Sequence, residues 1–238
     1  MHRFFTTEIQ PNTAVVRGED VKHIAKVLRL RAGDPVQLCD GNGNECDAVI
    51  ASVASDAVTF DTQPWRRAKS EPSVSVTLFQ CLPKAGKMET IIQKCVELGA
   101  CGFVPVQSLR CVVVLKPPYE GRIERWQRVS EEAAKQSRRG VIPRVDNPVA
   151  LDKLDFSAFD TVLVAFENER TVSLKTALRE QCGKRIAILI GPEGGFSDAE
   201  IETLAKKGAR SVSLGTRILR TETAGMAMLA QIMYEVEP

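Results

Sequence analysis

From Val74 onward the chain alternates between short apolar runs and amphipathic stretches, and this alternation restricts the fold more than any other feature. The apolar runs predict strands at 74–79, 103–106, 161–166, 185–190 and 211–214. The amphipathic stretches predict helices at 88–98, 122–138, 174–181, 198–207 and 224–236. Parallel neighbours need a crossover of helical length, so this pattern describes an α/β domain with a mainly parallel sheet. Ligands in such sheets bind at the carboxyl ends of the strands. Two glycine-bearing loops leave strands there: Gly191-Pro192-Glu193-Gly194-Gly195 and, some two dozen residues on, the stretch from Leu214 and Gly215 to Ala224. The loops are expected to follow two neighbouring strands, and the bare backbone at these exits, which glycine lets a ligand approach closely, predicts a cofactor pocket.

The chemistry of these loops narrows what the pocket holds. No Gly-Lys-Ser/Thr follows the first loop, so it is not a P-loop. Glu193 makes phosphate a poor ligand there and suits a zwitterionic or cationic cofactor. Ser197 and Glu200 have the spacing of a capping box at the start of the next helix. The second loop adds Arg217, Arg220 and Glu222, side chains suited to polar recognition or chemistry. Both histidines, His2 and His23, precede the α/β region, so Ser/His and Cys/His schemes within that region are ruled out. Catalysis there would rest on carboxylates, arginines, backbone dipoles or a cofactor reactive by itself.

Residues 1–70 read differently, as a small β-rich barrel or sandwich. Short strands are suggested at 36–40, 45–53 and 57–61, with a helical patch at 19–30 placing Val21, Ile24, Ala25 and Leu28 on one face. Gly41-Asn42-Gly43 lacks the third glycine of a dinucleotide fingerprint, Cys46 standing there, and reads as a hairpin turn. The proline-bearing, basic stretch 63–73 reads as the linker. Seven cysteines without a Cys-x-x-Cys spacing argue for reduced, mostly buried thiols in a cytoplasm rather than a disulfide framework or metal site. No apolar run approaches membrane-spanning length, and the first residues lack the apolar stretch of a signal peptide. The helix at 224–236 is apolar nearly all round, which predicts burial on more than one side; core packing alone would explain it, and a subunit interface, here favoured as a homodimer, would do so equally.

Charge is unevenly placed. Residues 71–144 carry 12 Lys and Arg against 7 Asp and Glu, whereas residues 1–70 balance and 145–238 are slightly acidic. Such a bias suits a polyanionic partner, and it equally suits a solvated helix face. Lys84, Lys87 and Lys94 lie at and along the first helix of the α/β region, and Arg122, Arg125 and Arg128 step along the next. Forked guanidinium groups fit phosphate oxygens, but Glu124, Glu131 and Glu132 are interleaved with them.

Across essentially its whole length the sequence resembles the RsmE-type 16S ribosomal RNA uridine-N3 methyltransferases of the SPOUT, or trefoil-knot, superfamily. The resemblance is carried by Arg3-Phe4-Phe5, the stretch His23 to Leu30, Gly33-Asp34 and Asp40-Gly41 near the start. It continues through Lys84, Lys87, Glu89, Lys94 and Glu97-Leu98-Gly99, then Gln136-Ser137, Arg139 and Pro143, and finally Gly191 to Phe196 and Leu214 to Ala224. Arg138 departs from the pattern, which has a small residue, usually glycine, before Arg139.

The resemblance implies a PUA-like RNA-binding β-barrel over 1–70 and a methyltransferase domain over 74–238 whose chain is threaded into a trefoil knot. It implies S-adenosylmethionine held among three loops, with contacts from Ala165, Phe166, Glu167, Gly191, Pro192, Glu193, Gly194, Gly195, Leu214, Gly215, Ile218, Leu219, Thr223 and Ala224. It further implies a homodimer acting on the small ribosomal subunit in the cytoplasm, with no metal and no membrane. For the reaction at uridine N3, Arg220 is expected to orient the uracil and favour its anion, and Glu222 or Glu193 to accept the proton or fix the arginine. RNA contacts are expected from Arg3, Arg29, Lys84, Lys87, Lys94, Arg139 and Arg217. The competing readings are a non-catalytic RNA-binding assembly factor and a methyltransferase for another RNA site.

Overall fold

The computed structural model describes residues 1–84 and 86–236. The chain divides into two compact units, 1–71 with 134–142, and 72–133 with 143–238. Sequence patterning gives no sign of the excursion at 134–142, which belongs with the first unit although it lies far along the chain.

The first unit is built on β1 (His2–Phe5), β2 (Glu8–Gln10), β3 (Thr13–Arg17), β4 (Pro35–Cys39), β5 (Asn44–Val53), β6 (Ala57–Thr62) and β7 (Arg66–Arg67). Its sheet runs β1-β4-β5-β6-β3-β2, with β7 beside β5. The sheet curls, because the Thr6 amide donates to Cys39 in β4 (2.9 Å) while its hydroxyl donates to the Val15 carbonyl in β3. Phe4, Val16, Ile24, Leu38, Ile50 and Phe60 fill the interior. The predicted hairpin turn is present: Asp40 caps it by accepting from the amides of Asn42 (2.7 Å) and Asn44 (2.9 Å), with Gly41 and Gly43 at positive φ.

Two expectations change here. The helix expected at 19–30 is α1 (Glu19–Lys22) followed by a wider π-helical turn, His23–Val27, in which the Leu28 amide reaches the His23 carbonyl. The stretch read as a linker contributes β7, whose two arginines pair with the start of β5.

Residues 137–142 lie against the β4–β5 hairpin, with Gly43 donating to the Gly140 carbonyl (3.0 Å) and Ile142 to that of Gly41 (3.1 Å). Glu71 anchors this segment by accepting from the Arg139 guanidinium (2.7 Å) and the Gly140 and Val141 amides. Arg138 sits at φ 60°, a left-handed conformation that explains why a glycine was expected there.

The second unit contains β8 (Ser75–Cys81), α2 (Lys87–Glu97), β9 (Gly102–Gln107), α3 (Glu120–Gln136, its last residues counted with the first unit), β10 (Arg144–Val145), β11 (Val149–Ala150), β12 (Thr161–Ala165), α4 (Leu174–Glu180), β13 (Arg185–Ile190), α5 (Asp198–Lys206), β14 (Arg210–Val212) and α6 (Thr221–Val236). The sheet order is β10-β9-β8-β13-β12-β14, with every pair parallel and β11 also on β9. The predicted α/β class therefore holds.

β13 is a continuous apolar run because the central strand of a parallel sheet is covered on both faces; Ile186 to Ile190 are all buried. α2 buries Met88, Ile91, Ile92, Cys95 and Val96, the stripe that a period of 3.6 residues lays along one side. α6 packs on β13 and β8 and also on α2 and α4, which accounts for its nearly uniform apolar sequence. One expectation is corrected: the strands carrying the two glycine-bearing loops are not adjacent, since β12 lies between β13 and β14. That places the exit of β12 in the middle of the site. No helix among the described residues is long and apolar enough to cross a membrane.

Candidate cofactor site and its polar floor

At the carboxyl ends of β12, β13 and β14 a cavity of about 590 Å³ opens beside the first turn of α6. Each wall has a local cause. The 166–172 loop closes on Glu169, whose carboxylate accepts from the amide (2.7 Å) and hydroxyl (2.6 Å) of Thr171 and the amide of Val172 (3.0 Å). These donors, Thr171 first, hold Glu169 below the usual carboxylate range. The end of that loop pairs with the end of β14, Ser213 donating to the Val172 carbonyl and Leu174 to that of Ser213. Gly215, at φ 119°, then turns the chain away.

In the 191–195 loop, Gly195 has φ 65°, and a Cβ there would lie 2.0 Å from the Glu167 carboxylate. A side chain would therefore displace an acidic wall residue as well as strain the turn. The loop runs into α5 through the predicted capping box, with reciprocal bonds between Ser197 and Glu200. Arg110 ties it from outside, donating to the carbonyls of Gly194 (2.9 Å) and Phe196 (3.2 Å).

Below the cavity lies an ion-paired cluster. Lys87 Nζ sits 3.1 Å from Glu193 Oε1 and 3.0 Å from Glu222 Oε2, and the Lys84 amide also donates to Glu193 (3.1 Å). Burial pushes the Glu193 carboxyl up, but the Lys84 amide, its own amide and Lys87 more than offset this, so it titrates below its ordinary 4.5. Glu222 is likewise lowered, first by its own backbone amide and then by Lys87 and Arg220. Glu222, then Glu193, raise Lys87 above 10.5. Lowered acids and a raised base stabilise the folded state across the neutral range. That contribution is lost at the acid end as pH falls through the lowered carboxyl values, and at the alkaline end as pH rises through the raised lysine value.

Beside the cluster, buried Thr221 donates to the Gly191 carbonyl (2.6 Å) and accepts from the amide of buried Gln80 (2.9 Å), joining the start of α6 to the exits of β13 and β8.

The structure gathers most of the expected cofactor residues around this one cavity. Ala165, Phe166, Glu167, Gly191 to Gly195, Leu214, Gly215, Ile218, Leu219 and Ala224 line it, together with Arg217 and Arg220. Thr223 does not; it is on the exposed side of α6, and Thr221 takes the inward place. Lys87, expected to meet phosphate, lines the cavity as the partner of two carboxylates. Glu222 reaches the site through Lys87.

The remaining expected RNA contacts separate by burial. Lys84, Arg29 and Arg217 are exposed, and Lys94 pairs with Glu97 (2.9 Å). Arg3 and Arg139 are corrections. Arg139 is 3% exposed and bound to Glu71, while the Arg3 side chain is 9% exposed and bound to Glu45, Gln37 and the Arg138 carbonyl. Both hold the first unit together and present no guanidinium to solvent. Gln80, Arg110 and Thr221 were not foreseen. The one available signal was Gln80, a lone amide in the apolar second half of a central strand.

An RNA methyltransferase domain model matches residues 69–233, and an RNA methyltransferase PUA domain model matches residues 16–63. A protein of Bacillus subtilis named ribosomal RNA small subunit methyltransferase E is 36% identical, over 94% of this chain and 91% of its own. This chain belongs to the ribosomal RNA small subunit methyltransferase E family. The α/β class with a mainly parallel sheet and the PUA-type first unit hold with it. A family member from Neisseria gonorrhoeae, solved bound to S-adenosyl methionine, is 30% identical with a TM-score of 0.85, covering 98% of this chain and 97% of its own. A Legionella pneumophila methyltransferase solved with the same cofactor is 29% identical with a TM-score of 0.82, covering 98% and 96%.

Proposed function

We propose that this chain methylates N3 of a uridine in the 16S RNA of the small ribosomal subunit, with S-adenosylmethionine as donor. The observation that carries the reading is the cavity at the carboxyl ends of β12, β13 and β14, in which a cofactor wall and a charged floor meet. Apolar Ile190, Leu214, Ile218 and Leu219 with the open backbone at 215–219 suit an adenosine, and the carboxylates of Glu167 and Glu193 suit a cationic, zwitterionic tail. When bound, the cofactor supplies a methyl group on a sulfonium, so the protein's task is orientation and charge.

Uridine N3 is a nucleophile only once its proton has left. Glu193 and Glu222, both lowered and held by Lys87, are weak bases and poor proton acceptors. The geometry favours a fixing role over proton acceptance, and the cation held is Lys87 in place of the expected arginine. Arg220, exposed at the cavity lip, and Lys87 then stabilise the uracil anion electrostatically, while the proton passes to water.

The first unit supplies RNA affinity as a PUA-like module, and the second unit carries the chemistry. The enzyme works in the cytoplasm as a homodimer, a reading supported by two side chains left outside the core of the second unit, Ile218 at 85% exposure and Tyr234 at 87%. The test is methyl transfer to undermethylated small subunits by Arg220→Ala, paired with cofactor titration. Turnover should fall on the order of 100- to 1000-fold, the usual cost of losing one donor to developing charge, with cofactor affinity unchanged. Full turnover by the variant would remove Arg220 from the reaction.

A further inference from the structure

A second cavity, of about 570 Å³, lies within the second unit between the β8–α2 turn and the first turns of α3. Its floor is apolar, with Leu82, Met88 and Trp126 all buried. Its rim is cationic: Lys84, Arg122 and Arg125 border it against one acid, Glu89, which is already paired with Arg125 at 3.1 Å. The excess positive charge therefore rests on Lys84 and Arg122. An apolar floor that includes an indole, under a positive rim, is complementary to a nucleobase joined to its phosphate.

The position of this cavity singles out which nucleotide. Lys84, Lys87 and Met88 belong to a wall common to both cavities, since Lys84 and Met88 border the second while Lys87 lines the first. The Lys84 amide is bonded to Glu193 on the cofactor side. A uridine presenting N3 to the cofactor cavity has to leave its stack, and its neighbour in the strand thereby loses a stacking partner.

The geometry points to the second cavity as the seat of the nucleotide immediately next to the target uridine in the same RNA strand, its base on the Leu82–Met88–Trp126 floor and its phosphate at Lys84 and Arg122. This rests on the methyltransferase reading and extends it, because the preference for one site would come partly from a base that is not modified. Glu89, held by Arg125, is the group placed to read a polar edge of that base.

The test uses the full chain with an oligoribonucleotide copied from the small-subunit RNA around the methylated uridine, either intact or with an abasic residue on the 5′ or 3′ side of it. With wild type, the abasic residue on one side should raise KM roughly tenfold, the usual worth of one stacked base. Val113→Phe, which fills the cavity, should treat the intact RNA as poorly as wild type treats the abasic one, with no added penalty for the lesion. Arg122→Ala, at an exposed position, should raise KM and keep part of the penalty. Cofactor affinity and melting temperature should match wild type in both variants. If Val113→Phe does not fold, Arg122→Ala decides. Variants that bind intact RNA as wild type does, or that suffer the full abasic penalty, overturn the assignment. Where turnover needs the assembled subunit, the same comparisons are read as Kd for the oligoribonucleotide; a wild-type enzyme that transfers no methyl group to undermethylated small subunits overturns the methyltransferase reading, and this assignment with it.

Discussion

Thr221 shows how much of the site depends on residues that carry no charge. Its hydroxyl links the Gly191 carbonyl to the Gln80 amide inside the second unit. Thr221→Val keeps the shape and leaves a buried donor and a half-buried acceptor without that partner. The expected cost is about 1–3 kcal/mol, read as a lower melting temperature together with weaker cofactor binding. Unchanged values for both would show that the bridge is dispensable. Neither Thr221 nor Gln80 was legible as a site residue, because a hydroxyl and an amide acquire meaning only from the strands brought beside them. The glycines, Glu193 and Arg220 were legible, since bare backbone and charge at a strand exit have few other uses. The partners of Lys87 were not legible for a related reason. Spacing along a helix shows which face a lysine occupies but not the two carboxylates that fold against it, one from a distant loop and one from the start of α6.

At the scale of elements, the parallel sheet was read with boundaries close to those observed, and β13 matched throughout, because a buried central strand writes itself as an unbroken apolar run. The short pieces β7, β10 and β11 were missed, being two residues each and set by pairing rather than by local preference. The order of β12, β13 and β14 also lay beyond local pattern. The turn before Arg139 gives the clearest element-level prediction. Arg138 holds φ 60° at the end of a helix, where glycine meets no Cβ penalty. Arg138→Gly should therefore stabilise the protein by up to about 1 kcal/mol, a gain limited by the greater entropy of glycine in the unfolded chain. The contact from Arg3 survives the change, since it goes to the carbonyl of residue 138. A loss of stability in chemical denaturation would mean that the arginine side chain holds the turn by contacts that outweigh the backbone strain.

For the whole molecule, the division of charge that hinted at RNA in residues 71–144 resolves into groups with different duties. Arg139 is spent on Glu71, Lys87 on two carboxylates and Lys135 on Asp20, whereas Lys84 and Arg122 border a cavity. Counting charges could not make that distinction, because it depends on burial. The dimer is testable at the same scale. Tyr234→Glu places a charge on the exposed side of α6 and should convert a dimer to monomers in sedimentation experiments, with loss of methyl transfer if the partner completes the site. A wild-type protein that sediments as a monomer at working concentration would remove the dimer from the account.

The central claim is that the cavity over Lys87, Glu193 and Glu222 delivers a methyl group to uridine N3. It is tested most directly by incubating the protein with labelled S-adenosylmethionine and undermethylated small subunits, then digesting the RNA and separating the nucleosides. The account predicts a single labelled product, 3-methyluridine, at one position of the RNA. Label in a ribose-methylated nucleoside or in another base, or no label despite bound cofactor, would contradict it.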